Sequence, residues 1–135
     1  MFLIDKIINL FNFLVASLLF IIVLPIIIIF SFLIYFEDKS NPIYLGKRVG
    51  KNFANFNLFK LRSMNITKEV GFQSTSVNDT RILKVGRFIR STKIDELPQI
   101  LNVLLGHINF VGPRPNVKDE VNKYVKYKDK IKIVI

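Results

Sequence analysis

Two adjacent carboxylates, Asp95 and Glu96, stand where the chain gathers cations: Arg87, Arg90 and Lys93 precede them, and Arg114 follows in the turn Val111-Gly112-Pro113-Arg114-Pro115. An acidic pair ahead of an apolar run is also ordinary helix punctuation, and its basic surroundings set this one apart. An aspartate kept ionised beside cations that can receive phosphoryl oxygens is equipped as a nucleophile for phosphoryl transfer.

The elements that must position the pair follow from spacing. Ile94, Leu97, Ile100, Leu101, Leu104 and Leu105 share one face of a helix. Pro98 fits only the first turn, where its missing N–H costs no bond, and Gly106 supplies a stop. The spacing therefore predicts a helix beginning near Asp95, with both carboxylates at an N-terminus whose free N–H groups and dipole favour anions. Arg81 to Ile94 is predicted as a further helix, with Arg81, Lys84, Arg87 and Arg90 in a row that could line a phosphate groove or lie on lipid headgroups. Pro42–Leu45 and Phe56–Arg62 read as short strands around a basic turn, Gly46–Lys51. That turn lacks the spacing and the Lys-Ser/Thr end of a P-loop. In an extended Phe56–Arg62, Lys60 and Arg62 share one face. Asn65–Thr80 reads as a polar loop, and the residues after Pro115 as one more amphipathic helix ending in Ile131–Ile135.

Composition divides the chain in two. The net charge is +10, yet half the residues are hydrophobic. Leu10 to Phe36 carries no charge, and every basic residue but Lys6 lies beyond it. The run exceeds the roughly 20 apolar residues needed to cross a bilayer. It is too long for a signal-peptide core and has no small-residue cleavage site after it. Pro25 falls near its middle and favours a kink, so a spanning helix and a re-entrant one that returns to its side of entry both fit. Charge bias places the basic body in the cytoplasm. With no cysteine, disulfides and thiolate metal sites are excluded, and the lone His107 is too little for a metal cluster. Few aromatics interleave with the basic residues, which argues against nucleic acid as partner.

The stretch from Arg90 to Pro115 resembles the signature of the bacterial sugar transferases, the monotopic polyprenyl-phosphate phosphoglycosyl transferases. Arg90-Ser91, Asp95-Glu96-Leu97-Pro98-Gln99, Asn102-Val103-Leu104, Gly106 and Val111–Pro115 carry the likeness. Arg48-Val49-Gly50 and Lys60-Leu61-Arg62-Ser63-Met64 extend it. The resemblance implies a bent re-entrant helix in one leaflet, broken at a Ser-Pro pair. Leu24 stands in the serine position here and Asn12 where the family carries Asp. It also implies a catalytic domain longer than this chain, which would lack the usual C-terminal part.

The resemblance implies that Asp95 attacks the sugar-linked phosphate of a UDP-sugar and releases UMP. The phosphate of a polyprenyl phosphate then displaces Asp95, giving a polyprenyl-diphospho-sugar. Glu96 is the expected Mg²⁺ ligand, because Mg²⁺ prefers oxygen and often takes only one or two carboxylates. Lys60, Arg62, Arg90 and Arg114 are expected to bind phosphate. The expected architecture is α+β and mostly helical. A membrane helix over 1–36, re-entrant or spanning, precedes a small cytoplasmic domain over 37–135 with a β-hairpin and amphipathic helices. The expected setting is the cytoplasmic face of the bacterial inner membrane, in contact with membrane lipid. The alternative is an inactive homologue that only binds anions or lipid at the membrane.

Overall fold

The computed structural model describes residues 2–50, 54–65, 79–112 and 114–118, with side chains from residue 6 onward. The architecture is α+β and mostly helical, as the pattern of residues predicts. The polar loop expected over Asn65–Thr80 and the amphipathic helix expected after Pro115 lie almost wholly outside the described residues.

The apolar run forms one helix, α1 (Phe2–Asp38), which passes through Pro25 without interruption. Most of its surface is exposed apolar side chains such as Phe11, Leu18, Ile21 and Phe32. One stripe is not. Asn12, Ala16, Ile27 and Ile34 are buried, with Val23 and Phe30 partly so. These positions recur at three- to seven-residue intervals and mark a single face turned to the rest of the protein. Asn12 to Ile34 is 22 residue-to-residue steps, about 33 Å at 1.5 Å per step.

A two-stranded antiparallel hairpin follows, β1 (Ile43–Val49) and β2 (Asn55–Leu61), with Ile43 opposite Leu61 and Val49 opposite Asn55. Gly46 to Val49 thus belong to a strand rather than to the predicted turn. Cross-strand hydrogen bonding overrides the punctuation by glycine and charge, and just past the strand the Gly50 N–H donates to the Ala54 carbonyl.

Helix α2 (Lys84–Ser91) is shorter than predicted. Arg81 falls in the turn before it, where Asp79 accepts from its backbone N–H and its guanidinium. Gly86 admits α2 against the segment after β2: a Cβ there would lie 2.1 Å from the Ser63 carbonyl oxygen. Leu61, Leu83 and Ile89 close over Ile27 and Ile34 of α1 to make the core. Hence α1 is both the apolar exterior and one wall of the interior.

The segment carrying the carboxylates is not the predicted single α-helix. A 3-10 helix, Ile94–Gln99, runs into a short α3, Ile100–Leu104. Lys93 enters it with φ 62°, and the first bond, Glu96 N–H to the Lys93 carbonyl, spans only three residues. Pro98, which has no N–H to give, leaves this tight coil without the next-turn bond that would relax it. Gly106, at φ +71°, makes the stop as expected.

Candidate active site

β2 packs against the 3-10 helix, and this contact builds the site. Alternation along β2 sends Leu61 to the core shared with α1 and puts Lys60 on the opposite face, with Leu58, toward the first turn of the 3-10 helix. Its ammonium lies 2.8 Å from Asp95 Oδ2 and 3.3 Å from Glu96 Oε1. From the other side Arg114 Nη2 donates to the same Glu96 oxygen at 3.0 Å. Asp95 is only 3% exposed, and its second oxygen, Oδ1, is buried with no hydrogen-bond partner among the described residues. Two cations and two carboxylates therefore balance each other, with one carboxylate oxygen left unengaged.

The strand register owes much to Asn102, which is fully buried on α3. Its Oδ1 accepts from the Phe59 N–H at 2.9 Å and its Nδ2 donates to the Asn57 carbonyl at 2.8 Å. The same Nδ2 lies 3.3 Å from His107 Nδ1. An amide that satisfies backbone groups on both sides of Leu58 fixes where Lys60 emerges. Residue type alone gives no sign of that role, although Asn102 lies in the stretch that carries the family likeness.

Arg62 and Arg90 are not brought to the carboxylates. Arg62 is 4% exposed, and its guanidinium makes a two-pronged ion pair with Asp38 at the end of α1. The alternation that puts it on the Lys60 face breaks down because β2 ends at Leu61. Glu37 acts beside Asp38. Its carboxylate accepts from the backbone N–H groups of Lys84 and Val85 at 2.6 and 3.1 Å, capping α2 from another element. Arg90 makes no ion pair among the described residues, and its charge reaches Asp79 weakly. Asp79 is held down to about 2, chiefly by hydrogen bonds from the Arg81 side chain and then from its backbone N–H.

Among the described residues, no three His, Asp or Glu side chains gather to cage a metal. Two adjacent carboxylates, one with an unbonded oxygen, suit a hard cation that completes its shell with water and substrate phosphate.

A membrane-attached α+β domain with a cation-clamped acidic dyad is the class that the fold and site define. The chain belongs to the bacterial sugar transferase family, whose profile matches residues 4–134. It is 48% identical over 95 residues to a Bacillus subtilis (strain 168) protein provisionally named an undecaprenyl-phosphate N-acetylgalactosaminyl 1-phosphate transferase, covering 70% of this chain and 53% of the relative. It is 37% identical over 112 residues to the UDP-glucose:undecaprenyl-phosphate glucose-1-phosphate transferase of Klebsiella pneumoniae, covering 82% of this chain and 24% of that one. The undecaprenyl-phosphate galactose phosphotransferase of Salmonella typhimurium (strain LT2) is 35% identical over 126 residues, with 82% and 26% covered. The chain thus spans about half the length of the first relative and about a quarter of the other two.

Proposed function

We propose that this chain carries the nucleophile and phosphate clamp of a transferase that moves a phospho-sugar from a UDP-sugar to a polyprenyl phosphate. The observation that carries the reading is the state of Asp95: one oxygen held by Lys60, the other unbonded. Asp95 Oδ1 attacks the sugar-bearing phosphorus, the bond to the bridging oxygen breaks, and UMP leaves with that oxygen. A phosphate oxygen of the lipid then attacks the same phosphorus and Asp95 departs as carboxylate. In the arrangement described, Lys60 and Arg114 are spent on the carboxylates. Donor binding is expected to move both cations onto phosphoryl oxygens and so uncover the nucleophile. Mg²⁺, held by Glu96 and the donor's phosphates, would neutralise charge on the departing UMP. Arg90 and Arg62 are assigned no contact with phosphate in this reading.

The long contact along α1 supports a helix that stays within one leaflet, and the basic residues beyond Phe36 favour the cytoplasmic face for the domain. The packed stripe from Asn12 to Ile34 is about as long as the hydrocarbon core is thick, about 30 Å. A domain attached along that whole length has no room outside a bilayer that α1 crosses.

The test is intact-protein mass spectrometry of lipid-reconstituted protein with UDP-sugars and Mg²⁺, without lipid acceptor. A sugar-phosphate adduct and one UMP per site are expected, and Asp95→Asn should give neither. Folded wild-type protein that gives no adduct with a panel of UDP-sugars would leave only anion or lipid binding at the membrane. An adduct that persists in Asp95→Asn would move the nucleophile elsewhere.

A further inference from the structure

Past α3 the chain shows a second apolar surface that the catalytic reading does not use. Leu105 is 59% exposed, Phe110 43% and Val111 89%. A loop that displays three large apolar side chains to water loses the free energy their burial would return.

The loop is fastened at a particular place. Asn12, one of three polar residues in the uncharged run of α1, is buried there, and its Nδ2 donates to Asn109 Oδ1 at 3.0 Å. The fastening point is flanked on α1 by exposed Ile8, Phe11 and Phe13. Phe110 and Val111 directly follow Asn109, so the loop's apolar tip joins the apolar exterior of α1 at the level of Asn12. Next to hydrocarbon, an amide pair that satisfies itself across two elements also removes the cost of exposing either amide.

We propose that the segment Leu105–Val111 inserts into the bilayer beside the N-terminal half of α1, as a second membrane contact of this protein. The occupant of this surface is lipid because the patch continues the surface of α1. Its second consequence concerns depth. Arg114 lies three residues beyond Val111 and holds Glu96, so an inserted loop ties the carboxylates to the headgroup layer at a second point, independently of the α1 exit at Glu37 and Asp38.

The chain has no cysteine, so single labels are placed without background. Nitroxides are attached in the full chain at Val111→Cys and Leu105→Cys, with Ile22→Cys on α1 as the buried standard and Lys47→Cys on β1 as the aqueous one. Each is reconstituted into phosphatidylethanolamine–phosphatidylglycerol vesicles and read for collision with oxygen and with a water-soluble nickel chelate. Positions 105 and 111 should behave like 22, with oxygen access raised and nickel access lost. If both match position 47 instead, the proposal is wrong. If only 111 follows 22, insertion is confined to the tip and the claim for Leu105 falls. A loss of helical circular dichroism in one variant is met by the other, since the two positions flank the loop. The readout is depth rather than turnover, so it stands or falls apart from the catalytic reading.

Discussion

The ammonium of Lys60 is shared between Asp95 Oδ2 at 2.8 Å and Glu96 Oε1 at 3.3 Å, so a single cation on a strand holds both carboxylates of the 3-10 helix. Asp95 is nearly inaccessible while Lys60 is partly exposed, so water can replace the partner of the lysine but not that of the aspartate. Lys60→Met leaves a buried, uncompensated carboxylate, which costs about 3 to 5 kcal/mol in comparable breaks. Denaturant unfolding should show a loss of that order, and Lys60→Met with Asp95→Asn should recover much of it. Additive losses in the double-mutant cycle would mean that the two groups do not depend on each other.

Asn102→Leu keeps approximate volume but strands the Phe59 N–H and the Asn57 carbonyl. Both bonds are only partly buried, and each contributes about 0.5 to 1.5 kcal/mol. Hydrogen exchange at the Phe59 amide should accelerate well before global unfolding. Unchanged protection there would show that β2 keeps its register without the amide.

Gly86→Ala is predicted to be among the most damaging single substitutions outside the site. The added methyl would meet the Ser63 carbonyl, part of the backbone, 2.1 Å away, and backbone cannot rotate aside. The α2 helix must then move off the segment after β2, opening the core around Leu83 and Ile89. The measurement is the melting temperature, with Gly86→Ser expected to fall at least as far and Gly106→Ser, in open space but at positive φ, by less.

Acid should release the Asp79–Arg81 pair late. The folded value for Asp79 is about 2, against about 3.9 for an unperturbed aspartate. The folded value is the lower one, so the pair stabilises above about pH 4 and its contribution fades as pH falls toward 2. Thermal melts of wild type and Asp79→Asn should differ at neutral pH and converge near pH 2. A difference that persists at pH 2 would assign it to packing rather than to charge.

If α1 stays in one leaflet, cysteines at positions 3 and 40 should react with a membrane-impermeant maleimide from the same side of sealed vesicles. Reaction from opposite sides would mean that α1 spans and that the packed stripe is disrupted in lipid.

Sequence spacing made some of this legible and concealed the rest for physical reasons. Lys60, Asp95, Glu96 and Arg114 could be nominated because charge clusters and strand alternation are local signals. Arg62 could not be told from Lys60 by alternation, because its partner Asp38 lies 24 residues away at the end of another element. The hairpin's existence was legible from its apolar strands. Its turn was misplaced because glycine and lysine in Gly46–Val49 look like a loop until Asn55–Leu58 is laid opposite them. The 3-10 start was hidden by an apolar pattern that fits a tight coil and an α-helix almost equally over one turn.

Ile27 and Ile34 belong to the membrane helix and also to the interior shared with Leu61, Leu83 and Ile89. Deleting the anchor to obtain a soluble fragment would therefore strip one wall from the core, and that fragment is expected to aggregate rather than fold. Insertion and folding are therefore expected to be coupled. The choice of detergent or bilayer is then expected to decide whether there is a folded protein to assay.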